Sequence, residues 1–321
     1  MALDPDNWTE RHKDFDAGLD ADQVELRAML DGLASVEAGI EDERISGIVD
    51  DRLVDAGNSW EERQVVLESL SGSVAEEIAR RAELMKDAYP FVVRGGSISY
   101  RRSNTGVYEL CLAAARNPKG IGEGRPHAST VFEWIARDVL ALHVGTRSRG
   151  FRTGWPPHES EARGTRTKET FELLSQLCGE FQWSPAPNYP DDPPPKLLKD
   201  CGLDVVVWKP WPDGRLAHLF ALGQCACGKN DINANKGREM SMIRLANWLR
   251  PISYCSPVRC FLTAHHIPNT IALYDLSQEA GLVFDRARLA MLAESSPSAV
   301  KSATGFDYHE LAAFYATQKA A

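Results

Sequence analysis

No apolar run in the chain approaches the roughly 20 residues that a membrane-spanning helix needs. The opening stretch, "MALDPDNWTERHKDFD", is acidic and polar where a secretory leader is basic and then apolar. A cytoplasmic protein without a membrane partner is expected. Positive charge is also in deficit: 36 Lys and Arg stand against 45 Asp and Glu, a net charge of −9. This excludes a protein coated in positive charge for nucleic acid and directs attention to where basic residues gather. Cysteine is sparse and odd in number, seven in 321 residues. That pattern excludes a disulfide framework and predicts reduced thiols in cores and strands. Proline is nearly missing from residues 20–88 and dense in "SPAPNYPDDPPPK" (184–196), which excludes regular structure there.

Residues 20–88 instead alternate acidic and apolar positions at helical spacing. Leu26, Met29, Leu30 and Leu33 form one stripe, and Val66, Leu67, Leu70, Val74 and Ile78 another, the pattern of helices packed on a shared core. A Gly-Gly turn in "YPFVVRGGSISYRRSN" precedes a helix over about 107–115. A boundary is expected near residue 90 or 125, the latter dividing a helical, acidic N-terminal region (1–125) from a second domain (126–321). A further helix runs from about Ser129 to Val144, with Ser129 or Thr130 as N-cap.

The following loop carries Arg147, Arg149, Arg152, Arg163, Arg166 and Lys168, with Phe151 and Trp155 interleaved. It is the strongest local excess of positive charge, fit either for a phosphate-tracking surface with stacking residues or for a solvated connection. After the helix "KETFELLSQLCGEF" and the proline-rich loop come two strands, Val205–Trp208 and "LAHLFALGQCAC", joined through an Asp-Gly turn. Both strands are apolar on both faces, so helices should cover the sheet, giving an α/β (α+β) fold. A turn centred on Asp213 and Gly214 puts Asp204 opposite Gly223 or Gln224. An acid and an amide oxygen side by side at the end of a buried hairpin suit a hard divalent cation such as magnesium.

"GLDVVVWKPWPDGRLAHLFALGQCACGKN" resembles the core of the PD-(D/E)XK nuclease superfamily, the restriction-endonuclease-like fold, in the branch where glutamine replaces the second acid. That family has a glutamate-bearing helix, a strand bearing the aspartate, a hairpin, and a strand with Glu/Gln-x-Lys followed by a helix. The resemblance implies a mixed sheet flanked by helices, and a deoxyribonuclease that binds Mg2+ or Mn2+ through Asp204, Gln224 and the Cys225 carbonyl. Glu172 or Glu169 on the nearer helix, or Glu133 on the earlier one, would be the helix glutamate, and the Arg147–Lys168 loop would grip DNA. Where the family has its lysine this chain has Ala226, so the ammonium would have to come from Lys229 or Lys236. "GLVFDRARLAMLAE" also resembles segments of bacterial genome-defence proteins, with no role attached to Asp285 or Arg286. The implied activity is metal-dependent DNA cleavage in defence against phage or foreign DNA, with protein partners that include an ATPase in some assemblies. The alternative is a catalytically inactive nuclease-fold subunit that binds DNA or scaffolds such a complex.

Cys225 and Cys227, with Cys255, Cys260, His265 and His266, offer a rival zinc site, though C-x-C is poor spacing for a knuckle. Beyond the hairpin, a covering helix with Met242, Leu245, Ala246 and Leu249 on its buried side is expected. A strand over "RCFLTAHHIP" should follow, then a strand-like piece and a last helix within "IALYDLSQEAGLVFDRARLAMLAE".

Overall fold

Five strands run through the middle of the chain's computed structural model in sequence order: β4 (Arg149–Arg152), β6 (Val205–Lys209), β7 (Leu219–Ala226), β9 (Val258–Thr263) and β10 (Leu282–Phe284). The structure describes residues 8–36, 60–120, 124–161, 167–179, 181–183, 201–228, 239–240, 242–246, 249–251, 256–300 and 305–318. Arg163, Arg166, Lys229, Lys236 and Cys255 lie outside these residues, as does the proline-rich loop. β6 is antiparallel to both β4 and β7, while β7, β9 and β10 are mutually parallel. The sheet is therefore mixed. A smaller antiparallel sheet joins β1 (Leu33–Ser35), β3 (Ser97–Tyr100) and β2 (Phe91–Arg94), and β5 (Phe181–Trp183) pairs with β8 (Leu249–Pro251).

The central sheet is covered on both faces, as its doubly apolar strands require. Val205, Val207, Ala221, Cys260 and Leu262 share the main core with α4 (Ala128–Val144). Val206, Trp208, Phe220 and Leu222 pack on the opposite face with Phe171 and Leu174 of α5 (Thr167–Cys178). Further along that second face, Ala226, Phe261 and Val283 pack with Leu276 of α7 (Thr270–Ala280). Gly223 lets these layers close, because a Cβ there would come within 2.5 Å of Val205 and 2.8 Å of Leu262.

The main core crosses residue 125. It takes Ala21, Val24 and Ala28 from α1 (Trp8–Asp31), Val74 and Ile78 from α2 (Trp60–Met85), and nearly all of α3 (Val107–Arg116). From later in the chain it adds α8 (Arg286–Ser295) and α9 (Tyr308–Thr317). A buried ionic cluster stitches the same elements together. Arg81 on α2 donates to Asp22 at 2.7 Å and to Glu25 at 2.9 Å on α1, and to Glu77 at 2.8 Å on its own helix. Arg286, the first residue of α8, reaches both oxygens of Asp22 at 2.6 and 2.8 Å. Tyr89 and Tyr108 each donate a hydroxyl to Glu25. Burial opposes ionisation of Asp22, but Arg286 and Arg81 outweigh it and hold the carboxyl down to about 2. Asp285 caps α8 through the Arg288 amide and faces His266 at 3.0 Å. The Asp285-Arg286 pair thus fastens the sheet's last crossover to the N-terminal helices.

Several expectations are corrected. Leu30 and Leu33 are exposed, because α1 ends at Asp31 and Leu33 belongs to β1. The N-cap of α4 is His127, with no side-chain cap. "IALYDLSQEA" is helical: Asn269 caps it, accepting from the Ile271 amide at 2.7 Å, and "LVF" alone is strand. The covering helix after the hairpin is described as one turn, α6 (Met242–Leu245), where Leu245 is buried but Met242 and Ala246 are exposed. Among the described residues no helix is long and apolar enough to cross a membrane.

Candidate metal centre

The site is built where β6 and β7 end beside β4 and α4. The β6–β7 ladder ends with Val205 opposite Gly223, so Asp204 stands just past it, beside Gly223 and Gln224. Asp204 enters the ladder through its amide, which donates to the Gly223 carbonyl at 3.0 Å. Its carbonyl accepts from the Thr153 and Gly154 amides at 2.7 and 3.0 Å, and the Thr153 hydroxyl donates to the Leu203 carbonyl. Residues 153 and 154, just past β4, thereby clamp the aspartate's backbone. Its side chain bends toward β7, where Oδ2 accepts from the Cys225 amide at 2.6 Å.

Glu133 reaches the same corner from α4. A Cβ on Gly154 would overlap the Glu133 carboxylate, so glycine is required for that carboxylate to lie against the clamp. Arg152 sits between the acids, donating through Nε to Glu133 and through Nη1 to Glu161 at 2.9 Å. Burial works against its charge, but Glu133, Glu161 and Asp204 outweigh it and raise the guanidinium's pKa above its ordinary value. Arg152 was a candidate for gripping DNA; with its side chain only 2% exposed, it is instead an internal counter-charge. Trp134 and the His158 amide complete the coordination of Glu161.

Gln224 is 1% exposed and bonded at both ends of its amide: Nε2 donates to Glu239 at 3.1 Å and Oε1 accepts from the Met240 amide at 3.4 Å. Alternation along β7 places it with Leu222, on the α5 face, while Cys225 packs toward the main core on the α4 face. Glu133 and Gln224 therefore approach Asp204 from opposite faces of the sheet. Glu172 of α5 is partly exposed and makes no hydrogen bond or ion pair with Asp204 or Gln224. Of these two glutamates, Glu133 is the one that lies at this corner. Ala226, on the same face as Gln224, is packed against Phe261 and Leu276, and no cation stands at its position.

The donors on the α4 side of this corner are oxygens, the Glu133 and Asp204 carboxylates with the Cys225 carbonyl, while the Gln224 amide is held on the other face by Glu239 and Met240. That set fits a hard divalent cation. Among the described residues no three His, Cys, Asp or Glu side chains are arranged to hold a metal ion. Thiolate ligation is disfavoured, because burial, then Asp204 and Glu133, push the Cys225 thiol well above its ordinary pKa. His265 is occupied by the Cys227 carbonyl at 2.8 Å, and His266 by Asp285. These contacts dismantle the zinc alternative as far as it is described.

Of the basic candidates, Arg147 and Arg149 are exposed, and neither makes an ion pair or hydrogen bond among the described residues. Lys168 is half-buried at the start of α5. Sequence reasoning misses Glu161, Gly154 and Glu239. The one available signal was the acids Glu159 and Glu161 placed within an otherwise basic stretch. Comparison with protein-family models, curated proteins and solved structures finds no match to this chain.

Proposed function

We propose that the chain is a metal-dependent nuclease of the restriction-endonuclease-like kind, hydrolysing DNA phosphodiesters in defence against phage or foreign DNA. One juxtaposition carries the reading. Glu133 from a helix, Asp204 from the head of one strand and Cys225 from the next meet at one end of a mixed sheet, in the chain order the sequence resemblance expects. Asp204 and the Cys225 carbonyl, with Glu133, would hold Mg2+ or Mn2+, and Gln224 would fix the second face of the corner through Glu239. The bound metal supplies Lewis-acid charge at the scissile phosphate and a water of lowered pKa. The protein holds Asp204 through four backbone contacts and sets the Glu133 carboxylate against the Arg152 guanidinium. Lys229 and Lys236 remain the candidate ammonium donors.

The test is cleavage of supercoiled and linear DNA by the purified protein with Mg2+ or Mn2+, beside Asp204→Asn, Glu133→Gln and a chelator control. The expected outcome is metal-dependent cleavage that falls about a hundredfold or more in either variant. A second reading is favoured by buried Ala226 and by the Arg152 guanidinium already standing among the acids: a nuclease-fold subunit that binds DNA or scaffolds a defence complex without cutting. DNA binding without cleavage, unchanged in Asp204→Asn, would select it.

A further inference from the structure

At the other end of β6 lies a concavity that the metal corner does not use. Four residue steps along the strand separate Asp204 from Trp208, about 13 Å at roughly 3.3 Å each. The cavity, about 690 Å3, opens between the start of β4, the end of α5 and the β6–β7 connection. Arg147 and Arg149 line it with Leu177, Trp208, Trp211 and Pro212, and none of its lining residues is acidic. In a chain of net charge −9, an acid-free pocket with two exposed, unpaired guanidiniums selects for an anion. Trp208 is buried and Trp211 is 57% exposed, its indole nitrogen anchored to the Ala217 carbonyl at 2.8 Å. A large aromatic ring is thus left in solvent yet fixed in orientation.

Backbone conformation marks the same place. Arg147 and Ala217 both take left-handed φ, +68° and +73°. Such a conformation costs a non-glycine residue roughly 1 kcal/mol or more and persists where the surroundings impose it. One of these residues carries a guanidinium of the pocket and the other holds Trp211. A planar hydrophobic surface in a pocket with two guanidiniums matches a ligand that is flat and apolar at one end and anionic at the other. The volume falls within the range that takes small organic ligands.

We propose that this pocket binds a nucleotide unit, its base stacked on Trp211 and its phosphate held by Arg147 and Arg149. The unit is either a free mononucleotide or part of a single strand. The site does not depend on the hydrolytic reading, and it needs no metal.

The experiment is fluorescence anisotropy of a labelled single-stranded oligoadenylate of about ten nucleotides, titrated with full-length protein in EDTA at several salt concentrations. Adenosine monophosphate and inorganic phosphate serve as competitors. Binding is expected, with displacement by adenosine monophosphate at far lower concentration than by phosphate. Trp211→Ala should weaken it about tenfold or more, as loss of one stacked base does. Arg147→Gly suits the left-handed backbone, so it removes the charge without straining the turn; it should weaken binding and lower the salt slope by about 0.7. Arg149→Ala should do the same, whereas Asp204→Asn should bind as the wild type. Tight competition by the mononucleotide assigns the site to free nucleotides, and weak competition assigns it to strands. Lack of binding by both the oligonucleotide and the mononucleotide overturns the proposal. So does wild-type affinity in the three pocket variants, or equal competition by inorganic phosphate.

Discussion

Replacing Asp22 by Asn should destabilise the whole protein. The carboxylate accepts from Arg81 at 2.7 Å and from Arg286 at 2.6 and 2.8 Å, and both guanidiniums are buried. Holding its pKa at about 2 in place of 3.8 corresponds to about 2.5 kcal/mol of preferential stabilisation of the charged form. In the wild type that contribution is fully present above pH 3.8 and is lost as pH falls toward about 2. Asparagine removes it at every pH and leaves two buried cations short of a counter-charge, a loss of about 3–5 kcal/mol for a broken buried pair. At roughly 2.1 cal/mol/K per residue over 321 residues, the expected fall in Tm is about 4–7 °C. The assay is thermal and urea unfolding at pH 7 of the wild type, Asp22→Asn, Arg286→Met and the double variant. The cycle should return a coupling of about 2 kcal/mol or more, with a single transition in every case. A coupling under about 0.5 kcal/mol would refute the reasoning. Two transitions, with the first alone moved, would show that the N-terminal helices unfold independently of the central sheet.

Gly154→Ala drives a methyl into the Glu133 carboxylate; the expected cost is about 1–3 kcal/mol, measured by urea unfolding, together with loss of whatever metal affinity calorimetry finds in the wild type. Burial pushes the Asp138 carboxyl up to about 6, outweighing Arg137. Its contribution is therefore fully present below pH 3.8 and lost as pH rises through about 6. Asp138→Asn should then stabilise the protein by about 2–3 kcal/mol at pH 8 and hardly at all at pH 4; equal melting curves at pH 8 would contradict this. Burial holds the Cys111 and Cys260 thiols up to about 12, and Cys225 well above its ordinary value. None of the three should react with an alkylating agent at pH 8 until denaturant is added, as mass spectrometry would report.

The hairpin was legible because its signals are local. Four consecutive apolar residues, an Asp-Gly turn and a second apolar run fix the ladder, and its register brings Asp204 beside Gly223 and Gln224 without any tertiary information. The helix bearing Glu133 was legible from its period. β4 was not, since "RGFR" has none of the β-branched residues that mark a strand; it is extended because β6 offers it an edge. The same edge turns Arg152 inward, which composition alone could not distinguish from a surface arginine. In "IALYDLSQEA" a short apolar run is ambiguous between strand and helix, and the deciding feature was the Asn269 cap just after Pro268. Asp22, Glu25, Glu77 and Arg81 read as a solvated helical face, because a buried charge is recognisable only once its partner, 264 residues away in the case of Arg286, is in place.

That separation also orders events during synthesis. At about 5–20 residues per second, Arg286 leaves the peptidyl transferase centre roughly 13–53 s after Asp22. Until then α1 and α2 can bring three carboxylates, Asp22, Glu25 and Glu77, together with two guanidiniums, the buried Arg81 and the half-exposed Arg80. The self-repulsion of that excess opposes early closure of the N-terminal helices. The nascent chain thus keeps its first helices loosely associated until the last crossover of the sheet delivers Arg286 and His266, so that the earliest segment made is among the last to be locked.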